Sequence, residues 1–265
     1  EHVVDSTQLT EVLAAMSQGA EPAGVIPDGY RIARAIDALA KTDTVPRRVI
    51  AVFQFQYFGA YETRKSASIL FAELANDPLF FMELATLAFK PRDVDDDCPD
   101  VPPSVRSNAW QVMHEGRGVP GAAEDGTVDS ALFHTWVAQV RARARESHRQ
   151  GAVDTAIGTW LSSCSADPDG LWPCLPVREL LEDSTAESIR SGFECGVRNN
   201  RGVHGRGILD GGEQERVLAD RYRGLAQLLV GTFPNTAECL IEIARGYEHE
   251  ARWHDDDADM MREHP

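Results

Sequence analysis

The chain has 265 residues, and 43% of them are hydrophobic, which is enough to bury a core in one large domain or two ordinary ones. Its formal net charge of −16 argues against broad electrostatic binding to nucleic acid or to an anionic membrane, because such polyanions attract clusters of Lys and Arg. No apolar run approaches the roughly 20 residues that a membrane-spanning helix needs, and no signal-peptide pattern opens the chain.

Five helices are predicted in the first part of the chain, from apolar residues that recur at three- and four-residue spacing. Asp28 is a candidate N-cap of the second helix, and Pro46 suits the first turn of the third. The sequence Asp77-Pro78 starts the fifth helix, which is apolar on nearly all sides and should be central. The predicted segments are about 6–18, 28–39, 46–57, 62–75 and 78–87.

Aspartate and proline dominate the next segment, PRDVDDDCPDVPP at residues 91–103. Proline interrupts a helix and aspartate has little surface to bury, so this segment is predicted to be a connector. Its aspartates lack the glycine-bearing loop and terminal Glu of a calcium-binding hand, so no metal site is predicted here. The predicted domains are an N-terminal helical subdomain at 1–91, an acidic Pro-rich linker at 92–104 and a C-terminal helical subdomain at 105–265.

The rest of the chain is also predicted to be helical. Asp129 is a candidate N-cap of a long helix that runs to about Gln150, and no stretch alternates at the period of two that a half-buried strand requires. The predicted segments are about 104–113, 129–150, 154–163, 176–182, 184–195, 213–230 and 234–253 or beyond. The predicted fold class is all-α, an irregular multi-helix bundle or HEAT-like helical stack of about eleven helices.

Seven glycines occur in residues 192–212, which predicts a Gly-rich loop before the last two long helices. Arg198, Arg201 and Arg206 lie beside these flexible backbone amides, and the following helix would point its N-terminus at the loop. This combination is typical of a site for an anion or a nucleotide. The alternative is a structural loop whose arginines pair with nearby carboxylates or with the acidic last helix.

The same segment carries a possible catalytic pair. Arg198-Asn199, four intervening residues and His204 resemble the arginine, polar residue, short gap and histidine of HEPN-type ribonucleases, which are also all-α. The resemblance implies His204 as the general base and Arg198 as the phosphate stabiliser in attack by a 2′-hydroxyl. The sequence departs from the family pattern because three glycines crowd the histidine, whereas the family residues lie at a helix end.

Other chemistry is predicted to be absent. His249 and His254 lie near several aspartates, but residues five apart are roughly 140° apart around a helix, so we expect a solvated helix end and no metal. No Ser-His-Asp or Cys-His arrangement indicates a nucleophile, and no cofactor is predicted. The five tryptophans are predicted to serve helix packing. The five cysteines form no C-x-x-C pair and are predicted to be reduced thiols.

Several longer stretches resemble a known region. DPDGLWP, the segment GFECGVRNNRGVHGRGILDGGEQERVLADRYRGLAQLL and FPNTAECLIEIARGYEHEARWHDDDAD are similar to a C-terminal helical region that recurs in large multidomain bacterial proteins of uncertain function. DPLFFMELATLAFKP is similar to the earlier part of that region. The resemblance implies one module of a larger bacterial protein, as does a first residue, Glu1, that is not Met. The resemblance does not imply any particular activity.

The functional prediction is a non-catalytic, cytoplasmic helical module for protein interaction or scaffolding. Its expected partner is another protein or the upstream domains of the same polypeptide, with no membrane involved. The alternative is a nucleic-acid-processing enzyme or a phosphate-binding module centred on Arg198, Arg201, His204 and Arg206. The interaction module is preferred because the sequence contains no complete catalytic set.

Overall fold

The computed structural model describes residues 6–17, 28–42, 44–61, 67–92, 100–202, 205, 207 and 210–263. Within these ranges the chain is all-α, which confirms the predicted fold class. The described residues contain twelve α-helices, a short 3₁₀ helix at Phe58–Ala60 and no strand, so the expected number of about eleven was slightly low. The arrangement is a helical bundle, and the HEAT-like alternative stays a prediction.

The helices are, in chain order, α1 (Ser6–Ser17), α2 (Gly29–Ala40), α3 (Arg47–Gln56), α4 (Ser68–Asn76), α5 (Pro78–Ala88), α6 (Pro103–Glu115), α7 (Ser130–Glu146), α8 (Gln150–Leu161), α9 (Leu175–Glu182), α10 (Glu187–Asn200), α11 (Glu213–Leu229) and α12 (Pro234–Glu263). They divide into two compact units. One unit comprises Glu1–Pro120 with Thr135–Gln150, and the other comprises Gly121–His134 with Gly151–Pro265.

Two predicted helix starts in the first unit are confirmed by their capping bonds. The Asp28 carboxylate accepts a hydrogen bond of 2.9 Å from the backbone N–H of Arg31, which satisfies an otherwise unpaired donor in the first turn of α2. Asp77 accepts hydrogen bonds from the N–H groups of Leu79 and Phe80 at the start of α5. These local bonds explain why the sequence alone located both helix starts.

The core of the first unit is built from the apolar faces of its helices. Leu13, Ile36, Leu39, Ile50 and Phe53 form one buried cluster among α1, α2 and α3. Helix α6 packs against α3 and α5. The predicted boundary at 92–104 stays a prediction, since residues 93–99 of that segment lie outside the described part of the chain.

The boundary between α7 and α8 differs from the prediction. The long helix expected to reach about Gln150 ends at Glu146, and α8 begins at Gln150 rather than near residue 154. His148 has a φ of 55°, in the left-handed region that a continuing helix cannot adopt. The Arg149 side chain donates to the Phe89 carbonyl oxygen at the end of α5, which favours this break.

The Gly-rich loop predicted at 192–212 is wrong over its first nine residues, because residues 192–200 belong to α10. Gly192 and Gly196 lie one turn apart on the buried face of α10, opposite Gly158 of α8. A Cβ at Gly158 would overlap the Ile189 carbonyl oxygen, and a Cβ at Gly192 would overlap the Thr155 carbonyl oxygen. The two helix backbones are therefore in direct contact, and glycine is the residue that permits it.

We expect Gly158→Ala to lower the free energy of unfolding by about 1–3 kcal/mol, because the added methyl group has no space between α8 and α10. Gly224→Ala is the matched control, since Gly224 lies inside α11 with nothing within 4 Å of its Cβ position. Alanine there should raise stability by about 0.5–1 kcal/mol. Urea unfolding measures both changes. Equal stabilisation by the two substitutions would contradict the direct backbone contact.

Candidate functional site

The candidate site lies in the second unit, where the end of α10 meets the long antiparallel pair α11 and α12. Arg201 follows the last residue of α10, and Gly202 has a φ of 70°, a conformation that favours glycine. His204 and Arg206 lie outside the described residues. The predicted pair of Arg198 and His204 therefore stays a hypothesis.

Arg201 is held by carboxylates of the protein itself. Its guanidinium lies 2.5 Å from a carboxylate oxygen of Glu215 on α11 and 3.5 Å from one of Glu250 on α12. The Glu215 side chain is 0% exposed and that of Arg201 is 14% exposed, so their ion pair is largely shielded from water. Glu215 also lies in the first turn of α11, where a negative charge interacts favourably with the helix dipole.

Tyr247 completes this cluster on α12. Its ring centroid lies 5.6 Å from the Arg201 guanidinium carbon, and its ring stacks on that of Tyr222 at 5.8 Å. Burial raises the pKa of the Tyr247 hydroxyl to about 12, so the ring remains neutral beside the cation at physiological pH. Arg201, Glu215, Glu250 and Tyr247 together link three helices, and we call them the Arg201 cluster.

Arg198 has a different environment. It is exposed on α10, and its guanidinium lies over the backbone of α12 at Gly246, where a Cβ would come within 2.9 Å of the guanidinium carbon. No ion pair of Arg198 is found within the described ranges. Glu194, one turn earlier, interacts with it electrostatically, and burial raises the pKa of the Glu194 carboxyl. Arg198 is therefore available to solvent, and both Arg198 and Arg201 interact electrostatically with Tyr247.

At the N-terminus of α11, which the sequence predicts as an anion site, a carboxylate of the protein already binds one backbone N–H. Asp255 of α12 accepts a hydrogen bond of 2.9 Å from the Gly212 N–H and pairs with Arg216 at 2.6 Å. A Cβ at Gly212 would overlap the Ala251 backbone, so the glycine allows α12 to approach. An incoming anion would have to displace Asp255.

A groove of about 330 Å³ runs between α11 and α12. Most of its charged lining is paired: Arg216 with Asp255, and Arg223 with both Asp220 and Glu248. Arg252 also lines the groove and has no ion pair within the described ranges. Glu248 and Asp255, which lie beside His249 and His254 in the sequence, are therefore engaged in ion pairs. Within the described ranges, no group of three or more His, Cys, Asp and Glu side chains is placed to hold a metal ion. The described residues of the groove therefore form no metal-binding set.

The C-terminal part of α12 carries an exposed surface that the sequence analysis missed. Trp253 and Met260 are 61% and 60% exposed, and Asp256 and Asp257 lie between them at helical spacing. Residues three, four and seven positions apart share one side of a helix, so these four form a single surface, the Trp253–Met260 face. The prediction that the tryptophans serve helix packing is wrong for Trp253, and Trp110 on α6 is also 49% exposed. The sequence feature that could have indicated this face is Trp253 followed by a run of aspartates, with Met260 seven residues after the tryptophan.

Three comparisons with known proteins found that this chain matches no family model, no curated protein and no solved structure. The site is therefore interpreted from its own geometry. The similarity to a C-terminal region of multidomain bacterial proteins, and the likeness of Arg198 and His204 to the HEPN motif, stay hypotheses from the sequence. Among the described helices, none has an apolar stretch long enough to cross a membrane.

We expect Arg201→Ala to lower the free energy of unfolding by about 3 kcal/mol, because it leaves the buried Glu215 carboxylate without its cation. Arg252→Ala is the matched control: Arg252 is an exposed arginine of α12, and its removal should change stability by less than about 0.5 kcal/mol. Denaturant unfolding followed by circular dichroism measures both. An Arg201→Ala variant as stable as the control would show that the Arg201 cluster has no structural role.

Proposed function

We propose that this chain is a non-catalytic protein-interaction module that binds a basic, amphipathic segment of a partner protein through the Trp253–Met260 face. The observation that carries the proposal is the exposure of two large apolar side chains, Trp253 and Met260, about 10 Å apart along one helix. Tryptophan contributes strongly to binding energy in protein interfaces, and methionine adapts its shape to different partners. A single exposed apolar side chain is common on protein surfaces, whereas Trp253 and Met260 lie on the same side of α12 and can contact one partner together.

Charge supports a basic partner. Asp256 and Asp257 separate the two apolar residues, and neither has an ion-pair partner in the described part of the chain. The whole chain has a formal net charge of −16, so lysine and arginine of a partner would be attracted over a distance. Such charges mainly raise the association rate, while the buried apolar contacts set the lifetime of the complex.

The contacts of the arginines favour interaction over phosphate handling. Arg201 is engaged by Glu215 and Glu250, and Asp255 occupies the α11 N-terminus that would otherwise attract an anion. A phosphate ligand at Arg201 or at the Gly212 N–H would have to replace these internal carboxylates. The module is further proposed to be cytoplasmic and part of a larger bacterial protein, and an upstream domain of that polypeptide with a basic amphipathic helix would suit the same face.

A designed peptide tests the proposal. The peptide is helical, with leucines at three- and four-residue spacing on one side and lysines on the flanks, and its binding to the full chain is measured by calorimetry. We expect Trp253→Ala to weaken binding by at least about tenfold, because a buried aromatic anchor is lost. We expect Asp256→Asn combined with Asp257→Asn to reduce the salt dependence of the association rate.

Two controls make the outcome specific. Leu228 on α11 is 67% exposed and lies outside the Trp253–Met260 face, so Leu228→Ala should leave the affinity unchanged. A peptide with glutamates in place of the lysines should bind much more weakly, because its charges repel Asp256 and Asp257. Equal binding of the lysine peptide to the original chain and to Trp253→Ala would overturn the proposal.

A further inference from the structure

We propose that the first unit binds single-stranded nucleic acid, with a base stacked on the Trp110 ring and the phosphates held by nearby cations. This inference goes beyond the proposed interaction function, which uses the second unit. The binding surface lies where the C-terminal ends of α5, α6 and α7 meet. We call it the Trp110 surface, and its members are Lys90, Trp110, His114, Arg145 and His148.

Phe89, which follows the last residue of α5, joins the three segments of this surface. Its carbonyl oxygen accepts a hydrogen bond of 2.8 Å from the Arg149 side chain, which lies just after α7. Its ring lies 6.0 Å from the ring of His114, in the last turn of α6. The Arg92 N–H also donates to the His148 carbonyl oxygen at 2.8 Å. Residues 89–92, the end of α6 and the junction of α7 with α8 therefore form one continuous surface.

Trp110 presents an ordered aromatic ring on this surface. Its ring stacks on that of His114, with centroids 3.9 Å apart and planes inclined by 25°. The His114 Nδ1–H donates to the Trp110 carbonyl oxygen at 2.8 Å, which fixes the imidazole against the indole. The imidazole covers one face of the indole, yet Trp110 remains 49% exposed. A ring held in this way is a platform for a nucleobase, because every base has a face that can stack.

Cations lie on the same three segments. Lys90, Arg145 and His148 are exposed, and none of them pairs with a carboxylate within the described ranges. Residues 89–92, 103–118 and 141–149 contain eight lysine and arginine residues and two carboxylates, Glu115 and Glu146. Four further aspartates, at positions 93, 95, 96 and 97, lie outside the described residues and are not counted in this surface. These segments are therefore positive in a chain whose net charge is −16, and phosphates would be attracted to them locally.

The exposed side chains favour a nucleic-acid strand over an anionic membrane. Binding to a membrane surface depends on several apolar side chains that enter the lipid together. Among the described residues of the three segments, Trp110 is the one large apolar side chain that is exposed. A single strand instead needs a ring for its bases and cations along its phosphates. The bases of a duplex are already stacked on one another, so a duplex cannot use the Trp110 ring.

Titration of a short, fluorescein-labelled oligodeoxyadenylate with the full chain at low salt tests the inference. We expect binding that weakens as the salt concentration rises, with quenching of tryptophan fluorescence that is absent in Trp110→Ala. Trp110→Ala should weaken binding at least about fivefold, because one stacking contact is lost. Trp110→Phe keeps an aromatic ring and should retain most of the affinity.

The contribution of the cations is measured separately. Lys90→Gln combined with Arg145→Gln should lower the slope of log affinity against log salt by about 1.4, because each phosphate contact of a single strand contributes about 0.7. Arg149 is left unchanged, since its side chain is part of the packing between segments. The matched control is Arg31→Gln combined with Arg34→Gln: both arginines are exposed on α2, which packs against α1 and α3, and the slope should stay unchanged.

Two further controls separate stacking from charge and this surface from the second unit. An abasic strand of the same length has phosphates without bases, so it should bind the original chain and Trp110→Ala equally. The Arg198→Ala, Arg206→Ala double variant should bind oligodeoxyadenylate like the original chain, because both residues belong to the second unit. Circular dichroism checks that each variant keeps its helical fold.

Three results would overturn the inference. One is the absence of binding to oligodeoxyadenylate at low salt. Another is equal affinity of the original chain and a folded Trp110→Ala variant for that strand. The third is binding to phosphatidylserine vesicles without binding to the strand, which would assign the Trp110 surface to a membrane.

Discussion

Direct contact between the backbones of α8 and α10 is the constraint on which the second unit depends. Gly158, Gly192 and Gly196 provide it, because any side chain at these positions would overlap the opposite helix. The contact is reinforced by hydrogen bonds from Thr159 to the Gly192 carbonyl oxygen and from Asn200 to Ser162. Close helix contact fixes the direction of α10 and hence the point at which Arg201 leaves it.

The position of α10 determines which ion pairs form in the second unit. Arg201 leaves α10 next to Glu215 and Glu250, and the resulting ion pairs join α10, α11 and α12. Removing one member of a buried pair costs far more than removing an exposed charge, so these contacts stabilise one arrangement of the three helices. Asp255 in turn caps α11. Arg201, Gly192 and Gly196 thus contribute to the packing of the second unit.

Much of the fold was predictable because helix starts depend on hydrogen bonds between residues close together in the chain. Contacts between residues far apart in the chain could not be read from the sequence. Asp28 and Asp77 cap helices through bonds to residues two or three positions away, so their role was visible in the sequence. Gly192 and Gly196 suggested a loop because glycine costs about 1 kcal/mol in an isolated helix. The contact with α8 outweighs that cost, but a contact between two separate helices cannot be read directly from the sequence. The exposure of Trp253 likewise depends on which distant residues pack against α12.

The most direct measurement is a titration of the purified chain with single-stranded RNA, short duplex DNA and nucleotides at low and moderate salt. An Arg198→Ala, Arg206→Ala double variant is measured alongside. If residues 192–212 serve packing, none of these ligands should bind in a way that depends on salt and on the two arginines. Salt-dependent binding that the double variant abolishes would contradict this view, and would make phosphate handling the function of the segment.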